Sequence, residues 1–277
     1  MPHWKRVTIV GVGLIGGSIG SSLRRLRLAD EVIGVGRSLD TLSVAEQLGA
    51  ITSATTDWAS GLAGADVVVV CTPVEHIPDH VRTAAQLAPQ AWITDAGSAK
   101  SQIVQALRDQ TERYIGSHPL AGSEKTGCGH SRDDLFVDRV AIVTPTDDTP
   151  PTLTERASEF WRSLGANVVA MSPSQHDDAL AATSHLPHVV ASALAAATDR
   201  SQLDLTGTGW RDATRIASGD VEMWRQILTG NQTPVLQAID RFSEVFNDFR
   251  EALADGDQAR IQQLLEVGKQ NRDAVGS

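Results

Sequence analysis

Short runs of β-branched and aliphatic residues recur through the first 170 positions, each followed by a stretch with apolar residues at helical spacing. Residues 6–10 read as a strand and 16–27 as a helix, and 31–35 with 39–48 repeat the pair. Residues 67–71 form a continuous apolar strand closed by Thr72-Pro73. Residues 91–94 form another, and 114–116 lead out of a strand into His118. Two further strands, 141–143 and 168–171, flank a helix over 153–164. Strands apolar on both faces that alternate with helices predict a parallel sheet covered on both sides.

Beyond Met171 the pattern changes. Ser172-Pro173-Ser174 is a turn, and no strand follows it. Residues 179–200 are alanine-rich and helical, with a kink expected at Pro187. Residues 221–228 predict a short amphipathic helix. Residues 235–253 predict a longer one, with Leu236, Ile239, Phe242, Val245, Phe246 and Phe249 at helical spacing. Asp255-Gly256-Asp257 breaks it before a last helix that starts at Ala259. The expected fold class is α/β: a Rossmann-type parallel sheet over residues 1–172, then an all-helical domain over 173–277.

Composition narrows the function classes. A chain of 277 residues with 41% apolar content suits two modest globular domains. A formal net charge of −10 argues against a nucleic-acid partner, although it leaves room for a local basic pocket. The two cysteines, Cys71 and Cys128, have no metal-like spacing, so no metal and a reducing compartment are expected. No apolar signal core opens the chain, and the longest apolar runs are too short to span a bilayer. A cytoplasmic protein without a membrane partner is the expectation.

Gly11-Val12-Gly13-Leu14-Ile15-Gly16 lies between the first strand and the first helix. The first glycine suits a tight turn, the second a close approach to pyrophosphate, and the third the packing of helix on strand. The helix N-terminus offers free amides to the phosphates. Thr72-Pro73, at the end of a neighbouring strand, joins the expected cofactor site. At the end of the second strand, cofactors without a ribose phosphate usually meet an acidic residue. Gly36 stands there, followed by Arg37 and Ser38, a pair suited to a 2′-phosphate. NADP is favoured over NAD, the alternative being that Arg37 stacks on adenine with either cofactor.

Ile115 to Lys125 carries the candidate chemistry. His118 follows a strand at the carboxyl edge of the sheet, where ligands of such sheets lie, and an imidazole can take a hydroxyl proton near neutral pH. Ser98 ends the preceding strand, and Ser123 and Glu124 follow the histidine closely. Arg211 and Arg215, four apart, suit a dicarboxylate, against the alternative of a surface pair between Asp212 and Arg215. His185 and His188 flank Pro187. With no third ligand at a recognisable spacing, they read as pocket-lining or kink-packing residues rather than as a metal site.

VGLIGGS, VVVVCTPV, TDAGSAK, GSHPLAGSEKTG, TSHLPH and WRDATRIASGDVEMW, in that order over about residues 6–250, resemble the prephenate/arogenate dehydrogenase family of tyrosine biosynthesis. The resemblance implies an NAD(P)-dependent oxidative decarboxylation of prephenate to 4-hydroxyphenylpyruvate, or of arogenate to tyrosine, and a homodimer formed through the helical domain. It implies His118 as the group that takes the 4-hydroxyl proton and Ser98 as a hydrogen-bond partner of that hydroxyl or of the histidine. Arg215 would hold the ring carboxylate, Asp212 and Glu124 would serve gating and charge balance, and His185 or His188 would meet the side-chain end. Families of this kind are sometimes fused to a chorismate mutase or an ACT domain. A chain ending near 277 leaves no room for either, so tyrosine inhibition is expected at the active site alone. Two other readings remain: a β-hydroxyacid or imine dehydrogenase, which would normally carry a working lysine on the helical domain, and an inactive NADP-sensing regulator, which would not need His118, Ser98 and Arg215 together.

Overall fold

In the computed structural model, which describes residues 2–276 apart from Thr111 and Glu124, eight strands form one sheet. They are β1 (Trp4–Val10), β2 (Ala29–Val35), β3 (Ser53–Thr55), β4 (Val67–Val70), β5 (Trp92–Asp95), β6 (Tyr114–Pro119), β7 (Val140–Thr144) and β8 (Asn167–Ala170), in the order β3-β2-β1-β4-β5-β6-β7-β8. The order reverses around β1, which lies between β2 and β4, and the loops leaving β1 and β4 meet at that point.

Side chains alternate across the pleat and feed two cores. Val67 and Val69 enter one with Val7, Ile9, Phe160 and Trp161, whereas Val68 and Val70 enter the other with Val10, Ile77, Val81 and Ile93. This is why the strand reads as an unbroken apolar run.

The expectation of a wholly parallel sheet needs one correction. β6 and β7 are antiparallel, with His118 opposite Ile142. A parallel step needs a crossover of a dozen or more residues, usually a helix. Between Pro119 and Val140 the described residues form only a 3₁₀ turn, Cys128–His130, so the chain re-enters the sheet from the end at which it left. His118 therefore lies inside β6 rather than after it. Sequence periodicity also passed over β3 and the helices Trp58–Leu62, Ile77–Leu87 and Ser101–Ala106.

The helical half begins earlier than its alanine-rich pattern suggests. Ser172 caps a helix over Pro173–Leu180 by accepting the Gln175 N–H, while the Gln175 side chain accepts the Ser172 N–H. A π-helical turn, Ala181–His185, follows, and then the helix Leu186–Ala197. Pro187 has no N–H to offer and crowds the carbonyl four residues back, so the ladder widens just before it. The combined run Pro173–Ala197, 25 residues long, is by length and composition apolar enough to cross a membrane, which corrects the reading that every apolar run is too short. Its His176, Asp177 and His185 are buried and bonded inside the molecule. Further on lie the helix Thr208–Thr214, the 3₁₀ turn Arg215–Ser218 and the helix Val221–Gly230.

The chain divides into two compact units, Met1–Asn231 and Gln232–Ser277. The second consists of the helices Gln232–Asp255 and Gln258–Ala274, separated at Gly256, whose positive φ of 67° ends the first. Within the first unit, Gly20 lies inside the helix Leu14–Arg25, where an added Cβ would overlap the Ala50 carbonyl oxygen. Alanine raises helix propensity by about 1 kcal/mol, but a backbone oxygen cannot swing aside, and overpacking costs about 1–3 kcal/mol. Gly20→Ala is expected to lower the midpoint of chemical denaturation. An unchanged or raised midpoint would mean that the 48–51 turn moves freely.

Candidate active site

Gly11 has a φ of 91°, and a Cβ there would stand 2.9 Å from the Cys71 carbonyl oxygen, so the turn after β1 requires glycine against the end of β4. Gly13 caps the helix Leu14–Arg25 without a side-chain bond, and no atom lies within 4 Å of where its Cβ would be. The first amides of a three-turn helix are thus left free beside open space, the arrangement that suits a pyrophosphate. Leu14, Ile15 and Gly16 continue from it, and Thr72 and Pro73 follow β4 across the same crevice. The Thr72 hydroxyl shares a 2.9 Å hydrogen bond with His80 Nδ1. Arg37 and Ser38 are exposed after β2, and Arg37 is among the charges that hold His80 below the ordinary imidazole value, behind burial and His76.

His118 reaches the same carboxyl edge from β6, and it is 9% exposed. Its Nδ1 lies 2.9 Å from His176 Nε2, and His176 Nδ1 lies 2.8 Å from Asp177 Oδ1. The Asp177 carboxylate also accepts the Lys100 N–H at 2.9 Å and the Ser101 N–H at 2.8 Å. Its pKa stays below the usual carboxylate value because these bonds outweigh its burial. Burial holds His118 well below the usual imidazole value, assisted by His176, Lys100 and His185. His176 is lowered by burial against the opposing bond to Asp177.

Close to the histidine in the chain lies a buried charge pair. Lys100 and Asp95 are fully buried and joined by a salt bridge. Asp95 further accepts the Tyr114 hydroxyl at 2.8 Å and the Gly97 N–H at 2.8 Å. Ser98 is half-buried in this loop, and of the two His118 ring nitrogens Nδ1 is taken by His176.

His185, 1% exposed, closes the π turn, and its Nδ1 lies 3.0 Å from Asn231 Nδ2. His188 stacks on Trp224 with ring centroids 3.4 Å apart. Burial pushes both histidines down to about 4, with His176 as the next cause for His185 and Arg215 for His188. Arg215 is exposed at the first position of its 3₁₀ turn, one residue beyond the helix that carries Arg211. Arg215 is the C-cap of that helix and keeps helical φ and ψ of −51° and −42°. Among the described residues neither arginine enters a salt bridge, and Asp212 does not pair with Arg215. Ser123 is exposed and accepts the Lys125 N–H, while Glu124 lies outside the described residues. No cluster of three metal-ligating side chains occurs among the described residues.

The model of the prephenate dehydrogenase nucleotide-binding domain matches residues 19–170, and that of the prephenate dehydrogenase dimerization domain matches 172–267. The chain belongs to the prephenate dehydrogenase family. It is 30% identical to prephenate dehydrogenase of Bacillus subtilis over 97% of this chain and 76% of that one. Among solved structures, prephenate dehydrogenase from A. aeolicus in complex with hydroxyphenyl propionate and NAD+ superposes with a TM-score of 0.92 at 33% identity, covering 98% of each chain. Synechocystis arogenate dehydrogenase gives 0.83 at 28% identity, covering 98% of this chain and 99% of that one. As a member of this family of dehydrogenases, the chain is an oxidoreductase.

Sequence reading missed His176, Asp177, Asn231 and the buried role of Lys100. The first two had a usable signal: Ser172 and Gln175 form a capping box, which starts the helix before His176 rather than at 179. Four site histidines, His118, His176, His185 and His188, sit below the free-imidazole value of about 6.5. The unfolded chain therefore binds more protons than the folded one once pH falls below that value. Stability should be full above it and decline as pH drops toward 4. Urea midpoints at neutral pH and near pH 5 measure this, and equal midpoints would contradict it.

Proposed function

We propose that this chain oxidatively decarboxylates a cyclohexadienyl dicarboxylate, prephenate in the first instance, giving 4-hydroxyphenylpyruvate in tyrosine biosynthesis. The observation that carries the reading is a buried, neutral histidine at the carboxyl edge of a dinucleotide-type sheet, with one ring nitrogen bonded to His176, which is itself bonded to Asp177, and the other left for substrate. The dinucleotide would lie on Gly11, Gly13, Leu14, Ile15, Gly16, Thr72 and Pro73, and its nicotinamide would supply the acceptor for the hydride leaving ring C4.

His118 takes the 4-hydroxyl proton at Nε2 while the ring carboxylate departs as CO2. Ser98 hydrogen-bonds the hydroxyl. Arg215, with Arg211 nearby in the chain, binds the ring carboxylate, Asp212 and Glu124 serve gating and charge balance, and Ser123 belongs to the substrate-binding set. His185 and His188 meet the side-chain end. Aromatisation makes the step downhill, so the protein's work is to position, deprotonate and hold two carboxylates. Arg37 and Ser38 suit a 2′-phosphate, which favours NADP over NAD. Residues 1–172 then serve the cofactor, and residues 173–277 serve the substrate and a homodimer in the cytoplasm. The exposed Leu236, Val245, Phe246 and Leu253 support the dimer.

A second reading, arogenate as substrate, is favoured by the likeness to the Synechocystis enzyme. The two substrates differ by a keto or amino group on the side chain, which a few pocket atoms can separate.

Crossing prephenate and arogenate with NAD and NADP, and following the absorbance of reduced nicotinamide, tests substrate and cofactor together. Turnover is expected with at least one pair and with an aromatic product, whereas silence in all four from folded protein would remove the reading. His118→Asn should lower kcat by roughly 10²–10⁴-fold with dinucleotide affinity kept, and intact turnover would exclude the histidine as base. Arg37→Ala should raise KM for NADP about tenfold, the loss expected for one charge-assisted bond, and leave KM for NAD nearly unchanged. A wild-type enzyme that strongly prefers NAD would end the NADP assignment.

A further inference from the structure

The polar groups behind the site form one chain of bonds, and the proton positions along it can be derived. Asp177 accepts two backbone N–H groups through its carboxylate, which is therefore ionised and can only accept. His176 must then carry its proton on Nδ1, facing Asp177 at 2.8 Å. A neutral His176 has a bare Nε2, and the 2.9 Å bond to His118 requires that His118 donate from Nδ1. The Nε2 of His118 is left as the basic nitrogen.

The other branch starts at the Asp177 backbone. Asn231 Nδ2 lies 2.8 Å from the Asp177 carbonyl oxygen, a group that can only accept, so the orientation of the amide is fixed. The second N–H of the same Nδ2 points at His185 Nδ1, 3.0 Å away, and that nitrogen must accept. The proton of a neutral His185 is consequently on Nε2. That nitrogen is buried and has no hydrogen-bond partner among the described residues. A buried donor without a partner is costly, and an acceptor oxygen on a ligand would satisfy it.

We propose that Asp177, through His176 on one side and Asn231 on the other, holds two site histidines in opposite tautomers: His118 as an Nε2 base and His185 as an Nε2–H donor to an acceptor oxygen of the substrate. His176, Asp177 and Asn231 are positioning residues in this scheme. Its catalytic consequence rests on the reading of His118 as the base, but the tautomers do not.

Nitrogen-15 NMR of the histidine rings in the intact protein, with signals assigned through His118→Asn and His185→Asn, reads the tautomers directly. The expected result is a protonated Nδ1 on His118 and a protonated Nε2 on His185. The reverse at either ring overturns the proposal. His176→Leu should release the His118 tautomer and lower kcat by roughly 10²-fold, leaving His185 as it was, and His176→Gln, whose amide can still accept from Nδ1, should restore part of the loss. Asn231→Leu should release His185 and raise substrate KM about tenfold, the loss expected for one hydrogen bond, leaving His118 as it was. Folded variants whose tautomers do not move would also overturn it. If a variant fails to fold, the wild-type spectrum alone decides. Expected tautomers in a protein that turns over no cyclohexadienyl substrate would retain the scheme and remove the proposed reaction.

Discussion

A carboxylate taken out of water has to be matched bond for bond, and Asp177, only 2% exposed, imposes that requirement on two parts of the first unit at once. Its oxygens need the Lys100 and Ser101 amides, which fixes the loop after β5 against the helix Pro173–Leu180. That helix can present Asp177 there only if it starts at Pro173, and the Ser172–Gln175 capping box stabilises that start. His176, next in the chain, is then directed at β6 and His118. The Asp177 backbone carbonyl accepts from Asn231 at the end of the helix Val221–Gly230, and Asn231 in turn holds His185. Both branches start at an Asp177 group that can only accept, its carboxylate or its backbone carbonyl, which is why the chain of bonds has a single solution.

The buried ion pair of Lys100 and Asp95 acts on the histidine through its charge. Lys100 carries its ammonium beneath the sheet edge with Asp95 as counter-ion, and its field disfavours a proton on His118. Asp95 is in turn held by Tyr114, Gly97 and the Ser117 amide, so its position is set by β6 itself. The segment from Asp95 to Ser101 therefore serves the histidine twice, through the lysine's charge and through the amides that hold Asp177.

What was legible in the sequence was local. The alternating elements and the glycine loop declare themselves within a few residues. β3 and the helices Trp58–Leu62 and Ser101–Ala106 did not, because three to six residues give too little periodicity, and the eleven-residue helix Ile77–Leu87 was passed over although it is long enough to show one. The antiparallel β7 was missed because strand direction depends on the missing crossover helix and not on the strand's own composition. Asn231 and Asp177 stand 54 residues apart, and His118 and His176 stand 58 apart. No spacing rule reaches that far, and only the capping box before His176 hinted at a neighbour.

The choice of a neutral base follows from the charge of the proposed substrate. A carboxylate at the position of His118 would repel a dicarboxylate and stay poorly basic, whereas an imidazole held uncharged by burial lets the anion approach. His185 and His188 are neutral for the same physical reason, so the fixed positive charge in this part of the chain is left to exposed arginines such as Arg215. On the proposed reaction, the imidazolium formed at His118 would be opposed by the charge of the Lys100 ammonium. A base so placed gives up its proton readily. The reluctance to accept it is overcome by a step in which the ring becomes aromatic and CO2 departs. The depressed basicity of His118 then favours its return to the neutral state for the next turnover.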